Sequence, residues 1–483
     1  MELLERLEAV EINLSDCKKI IDFRIDSNTY RKDFLNTEKV LSKIKTNSIE
    51  SISKSVQNFG AYSLCSFINF QEQGIPFLMT ENIRHNYIEW NIQKYVDIKS
   101  HEMLYKSHCS KNQVLVTMAG EYLGRVAVYD KDFVSSSNQA IAKVTLKEKQ
   151  NPYMISSFLN SKHGQNQINR YRTTTGQPNI NMSLIKSLLI PNFDDKFESK
   201  IESIIQKSES DRTNSKEKYT QAETLLLQEI GLDEKVASLN PVEVTNTNVK
   251  SFAASFGVTG RLDAEYYQKK YEVVIEKIKS QKHDTLHSIT EINKSIEPGS
   301  NYYSDDETGL PFMRVADYNK FGLSEPNKKL TSDFVKDNQD KIDDLKPKKG
   351  TILFSKDGSV GIAYHLREDF NGVTSSAILH LKVRNEKEVI PEYLTLALNS
   401  KLVQMQAERD AGGSIILHWR VGEIQNVVVP IIDYKKQQEI AQLIEESFLL
   451  KKQSEHLLEV AKKAVEIAIE ESEEVAMEFI NKI

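Results

Sequence analysis

The chain has 483 residues, 39% hydrophobic and 27% charged, with a net charge of −6 at neutral pH, an ordinary globular composition with length for two or three cored domains. No run approaches the roughly 18 apolar residues of a membrane span, and the Glu-rich N-terminus has neither the charged nor the apolar region of a signal peptide, so a cytoplasmic protein with no membrane partner is expected. Three scattered cysteines, Cys17, Cys65 and Cys109, offer neither a disulfide framework nor zinc spacing, and the negative total argues against binding nucleic acid by bulk electrostatics alone.

In chain order, residues 1–20 read as a short helix with Leu3, Leu4, Leu7 and Val10 on its inner side, within an N-terminal helical segment of residues 1–45. A mixed segment, 46–191, follows; it holds more Lys and Arg than Asp and Glu, so the total conceals a basic domain. Its apolar strand Leu188-Leu189-Ile190-Pro191 leads into a long polar helix from about Asp194 to Ile230, within segment 192–236. Ile201, Ile204, Ile205, Leu225 and Leu226 keep an apolar stripe along that helix, and Gly231 offers its C-terminal stop. Segment 237–279 is a linker and the start of a second repeat, with Leu239-Asn240-Pro241 and the Thr/Asn-rich stretch to Asn248 as loop. A second mixed segment, 280–430, ends on Val427-Val428-Val429-Pro430, and a second long helix, Tyr434 to Ile483 within 431–483, carries the stripe Ile440, Leu443, Ile444, Leu450, Leu457, Ala461, Ala464, Val465 and Ala468.

The order of these segments is a repeat. Phe23-Arg24-Ile25-Asp26, with Tyr30 and Phe34 after it, returns as Gly260-Arg261-Leu262-Asp263 with Tyr267 and Tyr271. The offset of about 237 residues is far longer than a solenoid period, so a whole domain is duplicated. Gly74-Ile75-Pro76-Phe77-Leu78 corresponds to Gly309-Leu310-Pro311-Phe312-Met313, and Val114-Leu115-Val116 to Ile352-Leu353-Phe354. Each apolar strand runs into a glycine turn, Met118-Ala119-Gly120 or Lys356-Asp357-Gly358, and Leu159-Asn160-Ser161-Lys162 matches Leu398-Asn399-Ser400-Lys401.

This duplicated series, together with Gly176-Gln177-Pro178-Asn179-Ile180-Asn181 before a Pro-ended strand and a long helix, resembles the specificity subunit of type I restriction-modification systems from about Asp22 to the C-terminus. The resemblance implies an α+β fold: two similar mixed α/β target recognition domains, joined by two long antiparallel helices with pseudo-twofold symmetry. It implies that each domain reads one half of a split double-stranded DNA target, and that the helices set the spacing and dock two methyltransferase subunits and, where present, two restriction subunits. About 35 helical residues at about 1.5 Å each span roughly 50 Å, more than one turn of DNA. Ser447, Ser454 and Ala461 would let the two helices approach closely. The chain itself would bind no cofactor and catalyse nothing; S-adenosylmethionine, ATP and Mg would belong to the partners.

Base reading needs forked donors and acceptors on exposed loops. In the first reader the candidates are Arg172, Thr173, Thr174, Gln177 and Asn179, around a glycine that lets the backbone come close, although a hydrogen-bonded connector would use the same residues. Thr80, Asn82 and Arg84 follow the Pro-Phe strand, as Arg314, Asp317 and Asn319 do in the second reader. Lys356 and Ser359 lie in the second glycine turn, and Ser414, His418 and Arg420 in a loop whose residues depart from the first reader's pattern. Asp305, Asp306, Glu307, Asp343 and Asp344 make the second reader acidic, so Lys346, Lys348, Lys349 and Lys356, or the partner subunits, would supply its grip on the DNA backbone.

Catalytic readings fare worse. Gln150-Asn151-Pro152-Tyr153 has only one of the two prolines of an amino-methyltransferase motif and reads as a helix start, and Asp357-Gly358-Ser359-Val360-Gly361 lacks the Gly-Lys-Ser/Thr ending of a phosphate loop. His101, His108 and His163 have no metal-ligand spacing. The alternative from another class is a helical scaffold of a defence complex that does not read DNA sequence.

Overall fold

The computed structural model of the chain describes residues 10–18, 20, 23–60, 62–173, 176–232, 247–304, 308–413 and 415–482. Leu3, Leu4, Leu7, the loop Leu239-Asn240-Pro241 and the acidic Asp305, Asp306 and Glu307 lie outside them. By its contacts the chain divides into two units, residues 1–212 with 451–483, and residues 213–450.

In the first unit, Thr46–Ser48 pairs antiparallel with Leu189–Pro191. Proline donates nothing to a ladder, so it suits this short two-stranded pair. Between these strands lies a four-stranded antiparallel sheet in the order Ser53–Gln57, Ile141–Leu146, Val114–Thr117, Val126–Val128. All four residues of Val114–Thr117 are buried, which suits a β-branched run covered on both faces. A smaller sheet orders Phe70–Gln71, Tyr95–Val96, Ile75–Leu78 and Ser136–Ser137, its last pair parallel. Helix Pro152–Asn160 starts where Asn151 accepts hydrogen bonds from the Tyr153 and Met154 amides, so the Asn-Pro-Tyr stretch is a helix cap.

The second unit repeats the plan. His283–Thr285 pairs with Val428–Pro430, and the main sheet runs Thr290–Lys294, Ile378–Val383, Ile352–Ser355, Ala363–His365. Its smaller sheet orders Tyr303–Ser304, Lys328–Leu330, Leu310–Met313 and Val373–Thr374, again closing on a parallel pair. Helices Pro391–Asn399 and Lys401–Asp410 stand where Pro152–Asn160 and Lys162–Tyr171 stand in the first unit.

The long helices are Asp195–Ile230 and Tyr434–Glu470, and within each unit their segments run antiparallel. In the first unit Ile201, Ile204 and Ile205 share a core with Leu458, Ala461, Ala464 and Val465. There the Ser208 hydroxyl donates to the Ser454 carbonyl at 2.9 Å. In the second unit Tyr219, Ala222 and Leu226 share a core with Ile440 and Ile444, and the hydroxyls of Ser215 and Ser447 each donate to the other's carbonyl at 2.7 Å. Small side chains that return their own hydrogen bonds allow this close approach. Past Ile230 the Leu232 amide reaches back to the Leu227 carbonyl at 2.9 Å, the bond that closes a helix on a glycine at position 231.

Two helical expectations are corrected. In the described part of residues 10–20 only Leu14–Cys17 is helical and Val10 is 37% exposed; Asn13 and Asp16 bond locally there instead of feeding a longer helix. The final helix is not continuous to the end. Ser472 turns extended and caps a separate helix, Glu473–Asn481, by accepting from the Val475 amide. No described helix is long and apolar enough to cross a membrane.

Candidate nucleic-acid interface

The candidate loops hang from the glycine turns that leave the central strands. In the first unit Gly120 (φ +83°) donates its amide to the Pro178 carbonyl at 3.0 Å, and the Ile180 amide donates to the Met118 carbonyl at 2.9 Å. The Thr173 amide donates to the Asn179 carbonyl at 2.9 Å, and the Asn179 amide to the Thr173 hydroxyl at 3.0 Å. These bonds tie Thr173 to Asn179 and hold 176–180 against the turn, with Arg172, Thr173, Gln177 and Asn179 exposed. Thr174 lies outside the described residues. A Cβ on Gly120 would stand 3.1 Å from the Gln177 amide nitrogen, so the glycine leaves space for that side chain.

The second unit builds the same frame from different residues. Gly358 donates to the Leu417 carbonyl at 2.8 Å, and the Trp419 amide donates to the Lys356 carbonyl at 2.8 Å. Gly412 and His418 exchange backbone bonds at 3.1 and 2.7 Å. At the described ends of the loop the bonds to the glycine turn therefore recur, and the difference is that a Gly412 carbonyl takes the place of the Thr173 hydroxyl. Gly413 (φ +140°) makes the sharp bend, since a Cβ there would meet the Ile416 carbonyl oxygen at 2.0 Å. Ile415, Ile416 and Leu417 are 94, 54 and 42% exposed where the first loop carries Gly176, Gln177 and Pro178. Lys356 pairs with Asp357, which also accepts from His418 Nδ1 at 2.9 Å. Ser359 and Arg420 are exposed, Arg420 at the start of helix Val421–Gln425, while Ser414 lies outside the described residues.

The turns after the Pro-Phe strands divide differently. Asn82 is 5% exposed; its side chain accepts from the Met79 amide at 2.9 Å and donates to the Glu89 carbonyl at 3.1 Å. Asp317, 3% exposed, accepts from the Arg314 amide at 2.8 Å in the same way. Both are buried turn clamps. Thr80, Arg84 and Arg314 are half-buried, and Asn319 is exposed but folds its carbonyl onto the Phe321 amide.

Arg84 stands beside Arg125, which the sequence reading passed over. Arg125 lies 4.2 Å from the Tyr122 ring centroid, its Nη1 buried with no hydrogen-bond partner among the described residues. Burial, and then the Arg84 charge, pull its guanidinium below its ordinary value. Neither arginine forms an ion pair among the described residues, an arrangement suited to an anion such as a DNA phosphate.

Three pairs hold the frame. Asn160 takes both backbone groups of Val126, its Nδ2 on the carbonyl at 2.8 Å and its Oδ1 on the amide at 3.3 Å; Asn399 does the same to Ala363 at 2.8 and 3.0 Å. Gln165 and Gln404 each donate to the turn glycine carbonyl, Gly124 or Gly361, at 2.7 Å. Arg24 donates to the Arg172 carbonyl at 3.0 Å, and Arg261 to the Asp410 carbonyl at 3.1 Å, so the Arg-x-Asp motif ties down the helix end from which each loop departs. Their recurrence across the repeat was the available signal.

Residues 279–459 match the family model of the type I restriction modification DNA specificity domain. The chain is similar in structure to a type I restriction-modification system S subunit from M. genitalium, at 15% identity over 88% of this chain and 94% of that one, with a TM-score of 0.40. It is also similar to the HsdS subunit from Thermoanaerobacter tengcongensis, at 12% identity over 89 and 97% of the two chains, with a TM-score of 0.30. No curated protein matches the chain in sequence.

Proposed function

We propose that the chain, which carries a type I restriction modification DNA specificity domain at residues 279–459, is the sequence-reading subunit of a type I restriction-modification complex and recognises a bipartite duplex target. The observation that carries this reading is the repeated loop frame: 173–179 and 412–418 are held by the same backbone bonds to a glycine turn yet present different side chains. One frame with two chemistries suits two half-targets. In the first unit Gln177, Thr173 and Arg172 would offer forked donors and acceptors to base edges, with Arg84 and Arg125 on a phosphate. In the second, Ile415 and Ile416 would favour thymine methyl groups, with His418, Lys356 and Arg420 at the rim.

The chain would catalyse nothing. Two methyltransferase subunits, and restriction subunits where present, would dock on it and bring S-adenosylmethionine, ATP and Mg. The test is methylome sequencing of a methylation-free host expressing the chain with its neighbouring methyltransferase, against methyltransferase alone. A bipartite adenine-methylated motif appearing only with the chain is expected. The same sites marked without it would overturn the reading in favour of a scaffold.

A further inference from the structure

Away from the loops, the second unit gathers three metal-ligating side chains. His365 ends the strand Ala363–His365, Glu392 lies in the first turn of helix Pro391–Asn399, and Glu445 stands on helix Tyr434–Glu470. One ligand atom from each lies within 4.8 Å of the others. His365 is only 9% exposed, and among the described residues neither of its buried ring nitrogens has a hydrogen-bond partner. A buried polar group in that position is costly and calls for an occupant.

The geometry says what kind. Nδ1 of His365 lies 3.2 Å from Oε1 of Glu392 without an aligned hydrogen bond, as two ligands aimed at a common third point would lie. Ligand atoms around a tetrahedral ion with bonds of about 2.0–2.2 Å stand ~3.3 Å apart. The ring borders a cavity of about 10 Å³, also lined by Glu392, Lys320 and Arg367, room for one ion or one water. Both cations are engaged: Lys320 with Glu223 at 3.0 Å and Arg367 with Oε1 of Glu445 at 2.9 Å. The second oxygen of Glu445 remains to ligate, with Arg367 orienting the carboxylate as an outer partner. The Glu445 side chain is 53% exposed and can close the remaining gap by a change of rotamer.

The repeat supplies an internal control. Val128 faces Val114 in the first unit's ladder as His365 faces Ile352 in the second, and Tyr153 follows Pro152 as Glu392 follows Pro391. The frame is therefore built without either ligand in the first unit. We propose that His365, Glu392 and Glu445 hold a single Zn²⁺ that pins the edge strand and helix Pro391–Asn399 to the long helix in the second unit only, with water in the fourth position.

The experiment uses the full chain, stripped with EDTA and then given one equivalent of ZnCl₂. Zinc retained after gel filtration and the thermal midpoint are both measured. Retention of one Zn²⁺ per chain with a rise in midpoint, both lost in Glu392→Gln and in His365→Val, is expected. Wild type that keeps no zinc, or variants that keep it equally, would overturn the proposal. His365→Val installs the first unit's residue; should it fail to fold, the nearly isosteric Glu392→Gln decides. Neither readout depends on DNA, so this result stands or falls apart from the methylation test.

Discussion

Lys143 is a base buried in the wall of a sheet. Lys143 is 2% exposed, and among the described residues Nζ donates only to the Ser137 hydroxyl at 3.0 Å and the Ile141 carbonyl at 3.3 Å. With no carboxylate to pay for desolvation, burial pulls its pKa down to about 8. The second unit repeats the theme: His380, bonded to the Thr374 hydroxyl at 2.8 Å, is pulled down to about 4 by burial. Between about 8 and its unfolded value the lysine is neutral in the folded chain and protonated in the unfolded one, so its contribution to stability rises with pH over that window. The Cys109 thiol beside it, pushed up by burial, works in the opposite direction on the alkaline side. The lysine is therefore isolated by difference. Relative to wild type, Lys143→Met should gain stability at pH 7, and the gain should shrink steadily as pH rises from 8 to 9.5. Urea midpoints across that range check it; a constant difference would mean that Lys143 keeps its proton throughout.

At the scale of elements, the paired serines of the long helices look alike but carry different loads. Among the described residues the Ser447 side chain exchanges hydrogen bonds with Ser215 alone, a neutral pair. Ser454 also accepts from Arg212 Nη2 at 2.8 Å, and that guanidinium lies 3.2 Å from the Tyr87 ring centroid with Nη1 already buried and unpartnered. A neutral hydrogen bond is worth about 1 kcal/mol, whereas one to a charged group is worth about 1.5–3 kcal/mol. Ser454→Ala should therefore lower the urea midpoint of the full chain more than Ser447→Ala does, and equal losses would sink the argument. The sequence showed these helices because a stripe at helical spacing is a local signal; Ile201, Ile204 and Ile205 needed no tertiary information. It hid the break at Ser472, where one capping hydroxyl outweighs good helix formers on both sides. Of the smaller sheets only the Pro-Phe strands were legible, since their other strands, two or three residues long, are defined by their partners. The two candidate loops were legible by position, but their shared frame was not, because Thr173–Asn179 and Gly412–His418 share backbone bonds at their ends and almost no residue types. Of the site candidates, Asn82 proves to be a buried turn clamp; a clamp and a base reader use the same amide, so sequence alone does not separate the two uses.

At the scale of the molecule, two copies of one plan predict that half of the specificity can be exchanged. Residues 280–430 enter and leave through a single ladder, His283–Thr285 with Val428–Pro430, so a graft cut outside it keeps that ladder whole. Lys282 with Glu388, at 3.0 Å, travels inside the graft as well. Among the contacts that do not, three reach back from helix Lys401–Asp410. Glu408 accepts from Lys270 at 2.6 Å and from the Tyr271 hydroxyl at 3.0 Å, and Arg261 holds the Asp410 carbonyl at 3.1 Å, all from residues before the cut. A relative lacking an acid at the Glu408 position would leave Tyr271, 4% exposed, facing an unmatched helix, and the graft would lose stability for a reason unrelated to reading. Beginning the exchange at Arg261 removes that ambiguity, because the clamp, the helix and the loop it fixes then come from one source. If each unit reads its own half-target, methylome sequencing of such a graft should show one half of the motif replaced and the other kept. A change in both halves would mean that the loops do not read independently, and the duplicated frame would then have to be explained by assembly, with sequence choice made elsewhere.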